Sequence, residues 1–123
     1  MPLYNFKAQF ADLVANFKKN QTIRPVRKRP TVAGDTLYLY TGLRGKGGAR
    51  LLRETECTKV TPIAILSTPA MVSVCLDNRF LSIEEITNLA RADGFADATA
   101  FFQFFAKTYG DLFEGELIEW FPF

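Results

Sequence analysis

Phe6, Phe10, Leu13, Val14 and Phe17 recur at three- and four-residue spacing, which predicts an amphipathic helix over residues 6–19. Leu3 and Tyr4 ahead of it read as a short strand, and Asn5 is placed to cap the helix with its side-chain oxygen. Lys18 and Lys19 fall at the far end, where cations suit the helix dipole, and Asn20 is a left-handed terminator. Pro25 biases Arg24 away from helical angles, so residues 21–24 leave in extended form.

After a basic loop between Pro25 and Pro30 and a turn at Gly34-Asp35, the pattern changes to strict alternation. Leu37, Leu39, Thr41 and Leu43 share one face and Tyr38, Tyr40 and Gly42 the other, which is a half-buried strand. Residues 44–48 form a glycine-rich hairpin tip. Strands follow over 50–60 and 63–66, with a bend or bulge expected at Pro62, which cannot donate to a ladder. Residues 71–76 make a further strand that ends in an Asp77-Asn78 turn.

Ser82 and Glu85 have the spacing of a capping box for a helix over 83–92, and Asp97 caps a second helix that Gly110 ends. Ala98, Phe101, Phe102, Phe105 and Tyr109 share one face of that helix, the mark of a core stripe. A last strand over 115–121 is expected to pair with an earlier strand and close a partial barrel, with Trp120 packed. The order is that of an α+β barrel-like domain of mostly antiparallel strands, with an N-terminal helix and two helices before the last strand.

Composition narrows this further. With 123 residues there is room for one core, hence one domain over 1–123. No apolar run approaches a membrane span and no signal-peptide pattern opens the chain, so a cytoplasmic protein is expected. Cys57 and Cys75 read as reduced thiols. The chain has no histidine, which removes the usual general base, the usual zinc ligand and every Ser-His or Cys-His pair. No metal or cofactor is expected, and any chemistry falls to Lys, Asp, Glu, Tyr, Thr, Ser or Cys.

The net charge of +2 conceals an asymmetry. Residues 18–59 hold 11 Lys and Arg against 3 Asp and Glu, whereas residues 60–123 hold 3 against 9. The basic half is either a solvated face or a footprint for phosphate-bearing ligands. Arg27, Lys28, Arg29, Arg44, Lys46 and Arg50 lie on loops suited to phosphate contact, and Tyr38 can stack a base or pack on its sheet.

Five segments in this order carry a family resemblance: the Phe-rich first helix, K-K-N-Q-T-I-R-P, A-G-D-T-L-Y-L-Y, A-D-G-F and F-E-G-E-L-I-E-W. Together they resemble the ASCH domain of the PUA-like superfamily, in its small stand-alone bacterial and viral form. The resemblance implies a pseudo-barrel with a cleft for RNA or a nucleotide; with the basic half lining that cleft, a monomeric or weakly associating domain is expected. One group of that family hydrolyses N(4)-acetylcytidine through a Lys and a Thr in K-x-x-T-I-R and a Glu further on. Lys19 and Thr22 match the first two positions and Arg24 the motif's Arg; the acidic position falls on Asp93, one methylene shorter. A ribonuclease activity is also known in the family. Exposed Phe104 or Phe123 would suit a protein-interaction module instead.

The chemistry has its own demands. Thr is a weak nucleophile and needs a base at hydrogen-bond distance. Lys19 can be that base only when neutral, which requires burial or cationic neighbours to lower its pKa. The plain alternative is that Lys19 caps a helix, Thr22 lines a strand and Asp93 stands on a surface loop. Arg24 is suited to an internal carboxylate such as Asp35 or Asp93, or else to a phosphate.

Overall fold

A computed structural model describes residues 2–45 and 47–122. Ten elements follow one another: β1 (Leu3–Phe6), α1 (Ala8–Ala15), β2 (Gln21–Arg24), β3 (Thr36–Thr41), β4 (Arg50–Ser67), β5 (Val72–Leu76), β6 (Arg79–Phe80), α2 (Ile83–Ala92), α3 (Ala98–Tyr109) and β7 (Leu112–Trp120). The fold is mixed α+β, with a mostly antiparallel sheet of seven strands. Among the described residues no helix is long and apolar enough to cross a membrane. None of their His, Cys, Asp and Glu side chains gather in a group that could hold a metal ion.

The sheet hangs on β4. Its first part pairs with β3, and from Cys57 onward it pairs with β7, joined by β5 from Ile63. β1 lies parallel to β3, while β2 lies antiparallel on the outer edge of β7. The expected pairing of the last strand is present, but the expected closure is not. β1, β2 and β6 each have a single strand neighbour, so the ladder ends at open edges.

The bend expected at Pro62 lies elsewhere, since β4 runs through it and the register shifts between Cys57 and Lys59. Pro62 accepts a bond from Asp77 N at 2.9 Å, so its missing donor faces the turn beyond β5 and interrupts no bond to β7.

The first helix is shorter than its hydrophobic period. Asn5 and Phe6 belong to β1, Lys7 stands at the N-cap without a side-chain bond, and Asn5 Oδ1 accepts from Leu43 N at 3.0 Å. Local period lost to sheet pairing here, because β1 gains a full register against β3. At the other end the chain turns at Phe17, not Asn20. Phe17 adopts φ 64° and stands 50% exposed, with the Arg53 guanidinium 4.3 Å from its ring centre. A left-handed Phe is costly, and the stacked Arg53 offsets part of that cost.

The core lies between the sheet and the helices α1 and α3. Phe10, Phe95, Phe101, Phe105 and Phe113 form a chain of ring contacts with centroids 4.9–5.6 Å apart. Phe104 is not an exposed patch; it packs on Phe10 and Phe95. Phe123 lies outside the described residues.

The capping box on α2 forms as expected, and Arg79 adds two bonds to Glu85 at 3.1 and 2.9 Å. Those bonds hold Glu85 down at about 2, against an ordinary 4.5. A depressed carboxyl pKa adds stability above the unfolded value and loses it as pH falls through the folded one. Acidification from about 4.5 to about 2 should therefore fray the first turn of α2. An NMR titration placing Glu85 near its ordinary value would refute this.

Candidate active site

Lys19, Thr22 and Asp93 line one cavity of about 390 Å³, together with Arg24 and Arg44. The early end of α1 brings Lys19 there. Lys18 N and Lys19 N both bond back to Leu13 O at 2.9 Å, and Asn20 Nδ2 holds Phe17 O at 2.8 Å. The chain thus reverses and turns Lys19 inward, leaving it 2% exposed instead of solvated at a helix terminus.

Asp93 arrives from the far side. It ends α2 and is followed by Gly94 at φ 95°, where a Cβ would press on the ring of Phe10. A glycine is therefore required both for the left-handed turn and for the close approach. Lys19 Nζ donates to Asp93 Oδ1 at 2.9 Å and to Asp93 O at 2.5 Å, so the shorter acid does reach the lysine. Asp93 is 4% exposed and also accepts from Gln21 Nε2 at 3.4 Å.

Burial lowers the Lys19 pKa below 10.5, with the Asp93 carboxylate pulling the other way. Burial raises that of Asp93 above 3.8, opposed by Lys19. Both partners are drawn toward neutral forms, which is the condition a lysine base needs.

Thr22 and Arg24 share a face of β2 because strand side chains alternate. Arg24 Nε donates to Thr22 Oγ1 at 2.9 Å and Arg24 Nη2 donates to Asn5 O at 2.7 Å. Thr22 is 3% exposed, and its hydroxyl oxygen is held by a cation while its proton stays available for donation. Neither Asp35 nor Asp93 pairs with Arg24: Asp35 Oδ2 accepts from Val32 N at 3.0 Å, and Asp93 is taken by Lys19.

Gly115 decides where β2 sits. A Cβ at that position would overlap the carbonyl oxygen of Arg24 and the ring of Phe113. Gly115→Ala should push β2 off β7 and cost about 3 kcal/mol or more, the upper end of overpacking. Ligand binding should fall with it, because Thr22 and Arg24 ride on β2. An urea midpoint equal to that of the wild type would rule this out.

The other basic residues separate from this cavity. Arg27 Nη1 donates to Leu3 O at 2.9 Å, and Arg27 and Arg29 line a different cleft of about 450 Å³ beside Asp35. Lys28 is exposed. Arg50 is 4.0 Å from Asp12, and Tyr38 stands in β3 between Leu3 and Glu54. Lys46 lies outside the described residues.

Gln21 and Arg53 carry no site signal in the sequence, and Asn5, whose pattern suggests a helix cap, instead accepts from Arg24 through its carbonyl. Arg53 is buried, donating to Asn20 Oδ1 at 2.8 Å and to the carbonyl of Phe121, so it clamps the turn that aims Lys19. Only its place on the inward face of β4 hinted at this. Compared with known proteins, the chain matches no family model, no curated sequence and no solved structure.

Proposed function

We propose that this chain is a PUA-like domain of the ASCH type, its open sheet the pseudo-barrel of that fold, and that it hydrolyses an acylated amine of nucleoside size such as N(4)-acetylcytidine. The observation that carries this reading is the convergence of Lys19, Thr22 and Asp93 in one cavity, with Lys19 and Asp93 in direct contact.

Thr22 Oγ attacks the acyl carbon, and neutral Lys19, which lines the same cavity but has no direct bond to Thr22, takes the hydroxyl proton. The Arg24 Nε–H bond to Thr22 Oγ1 favours the alkoxide that develops. The C–N bond then breaks, its nitrogen taking the proton back from Lys19, and an acyl ester remains on Thr22. Water cleaves that ester, releasing the carboxylic acid and restoring the hydroxyl. Asp93 keeps the amine of Lys19 aimed and balances its charge when protonated.

The second reading is a domain that binds a nucleotide or RNA without turnover. Exposed Lys28 and Arg29, free of ion pairs among the described residues, favour it. Acetate release from N(4)-acetylcytidine separates the two: the wild type turns over in the first and not in the second.

A further inference from the structure

Arg24 brings to the cavity a cation with no ion-pair partner among the described residues, the Asp93 carboxylate acting on it only at longer range. A guanidinium has five N–H donors. Arg24 spends one on Thr22 and one on Asn5 O, leaving three. The carboxylate lining the cavity, Asp93, is committed to Lys19 at 2.9 Å. Arg44, exposed on the turn after β3, and Lys7 line the same space, and neither has an ion-pair partner among the described residues. Lys7, Lys19, Arg24 and Arg44 thus line one cavity with a single carboxylate. Of those without an ion pair, Arg24 alone is partly buried, and a desolvated guanidinium is costly until an anion joins it.

We propose that Arg24 and Arg44 form an anion subsite inside the cavity, and that the ligand carries an oxyanion group, phosphate or carboxylate, seated on it. The part of this inference that concerns turnover rests on the hydrolase reading above; the anion subsite itself does not. Arg24 supplies the fixed half, held on β2 and against the Phe6 ring at 4.9 Å, with its planar fork suited to two parallel bonds to an oxyanion. Arg44 supplies the exposed half from the turn. Because Arg24 is also one hydrogen bond from Thr22, the anion and the scissile amide belong to one small molecule.

Titration calorimetry of the full chain with inorganic phosphate reads the subsite directly. Wild type should bind phosphate, and Arg44→Gln should weaken that binding about tenfold or more, the worth of a charge-assisted bond. Arg44 is exposed, so the variant should fold. Three amides then identify the source of the anion: N(4)-acetylcytidine, its 5′-monophosphate and N-acetylglycine. One of the two anionic amides should exceed the neutral one in kcat/KM by about 10- to 100-fold. Phosphate binding that depends on Arg44, with no amide cleaved, would end the hydrolase reading and leave the subsite standing. Equal kcat/KM for all cleaved amides without competition by phosphate, or phosphate binding indifferent to Arg44→Gln, would overturn the subsite alone.

Discussion

Thr22→Val should reduce acetate release from N(4)-acetylcytidine to background, a loss of about 10⁴-fold or more, because it removes the attacking oxygen at nearly constant shape. The site is 3% exposed, so no water takes the place of the hydroxyl without rearrangement. Arg24 Nε loses an acceptor in the same variant, a penalty of about 1–3 kcal/mol that leaves the fold testable by circular dichroism. Lys19→Arg is the companion. It keeps a positive charge yet cannot take a proton, since guanidinium stays protonated, and should cost about 10²–10⁴-fold. The active form of Lys19 is the neutral amine, so wild-type turnover should rise with pH through a pKa that burial places below 10.5, then level off. Turnover that survives both substitutions would end the Lys-Thr mechanism.

Lys19→Met should cost about 3–5 kcal/mol of stability at neutral pH, because it strands the buried Asp93 carboxylate without its cation. The pH dependence fixes the cause. Burial raises Asp93 above 3.8, and without Lys19 nothing in direct contact but Gln21 opposes the rise. A carboxyl whose folded pKa exceeds its unfolded one contributes fully below the unfolded value and loses stability as pH climbs toward the folded one. Urea unfolding of Lys19→Met should therefore show a smaller deficit at pH near 4 than at pH near 7. The double variant Lys19→Met with Asp93→Asn should recover most of the loss at pH near 7, since a buried pair removed whole is far cheaper than one broken. A single-variant cost under about 1 kcal/mol, the level of an exposed pair, would mean that the contact is solvated.

Where residues repeat at a fixed period and lie between strong stops, local chemistry was enough. α2 runs over the expected residues because Ser82 and Glu85 satisfy each other's backbone and Gly94 supplies the left-handed exit. α3 does so between Asp97 and Gly110. The alternation of Leu37 and Leu39 against Tyr38 and Tyr40 likewise fixed which face of β3 is buried. The short β6 carries no such period, being two residues that pair only because Asp77 and Asn78 turn the chain back on β5.

The site was legible as residue types at a spacing, Lys19, Thr22 and Arg24, but not as an arrangement. Helical period carried the first helix on to Lys19, which would have left that lysine solvated at a terminus. Tertiary pairing of β1 with β3, and the Phe17 turn held by Arg53, ended it sooner and sent Lys19 into the core. Asp93 lies 74 residues from Lys19, and nothing local relates them; Gly94 against Phe10 and the seating of β2 on β7 decide that they meet. The same holds for Arg24, which by sequence suits an internal carboxylate or a phosphate. Whether a cation is balanced depends on which charges packing brings within a few ångströms, and here packing committed Asp93 to Lys19 and left Arg24 facing the cavity.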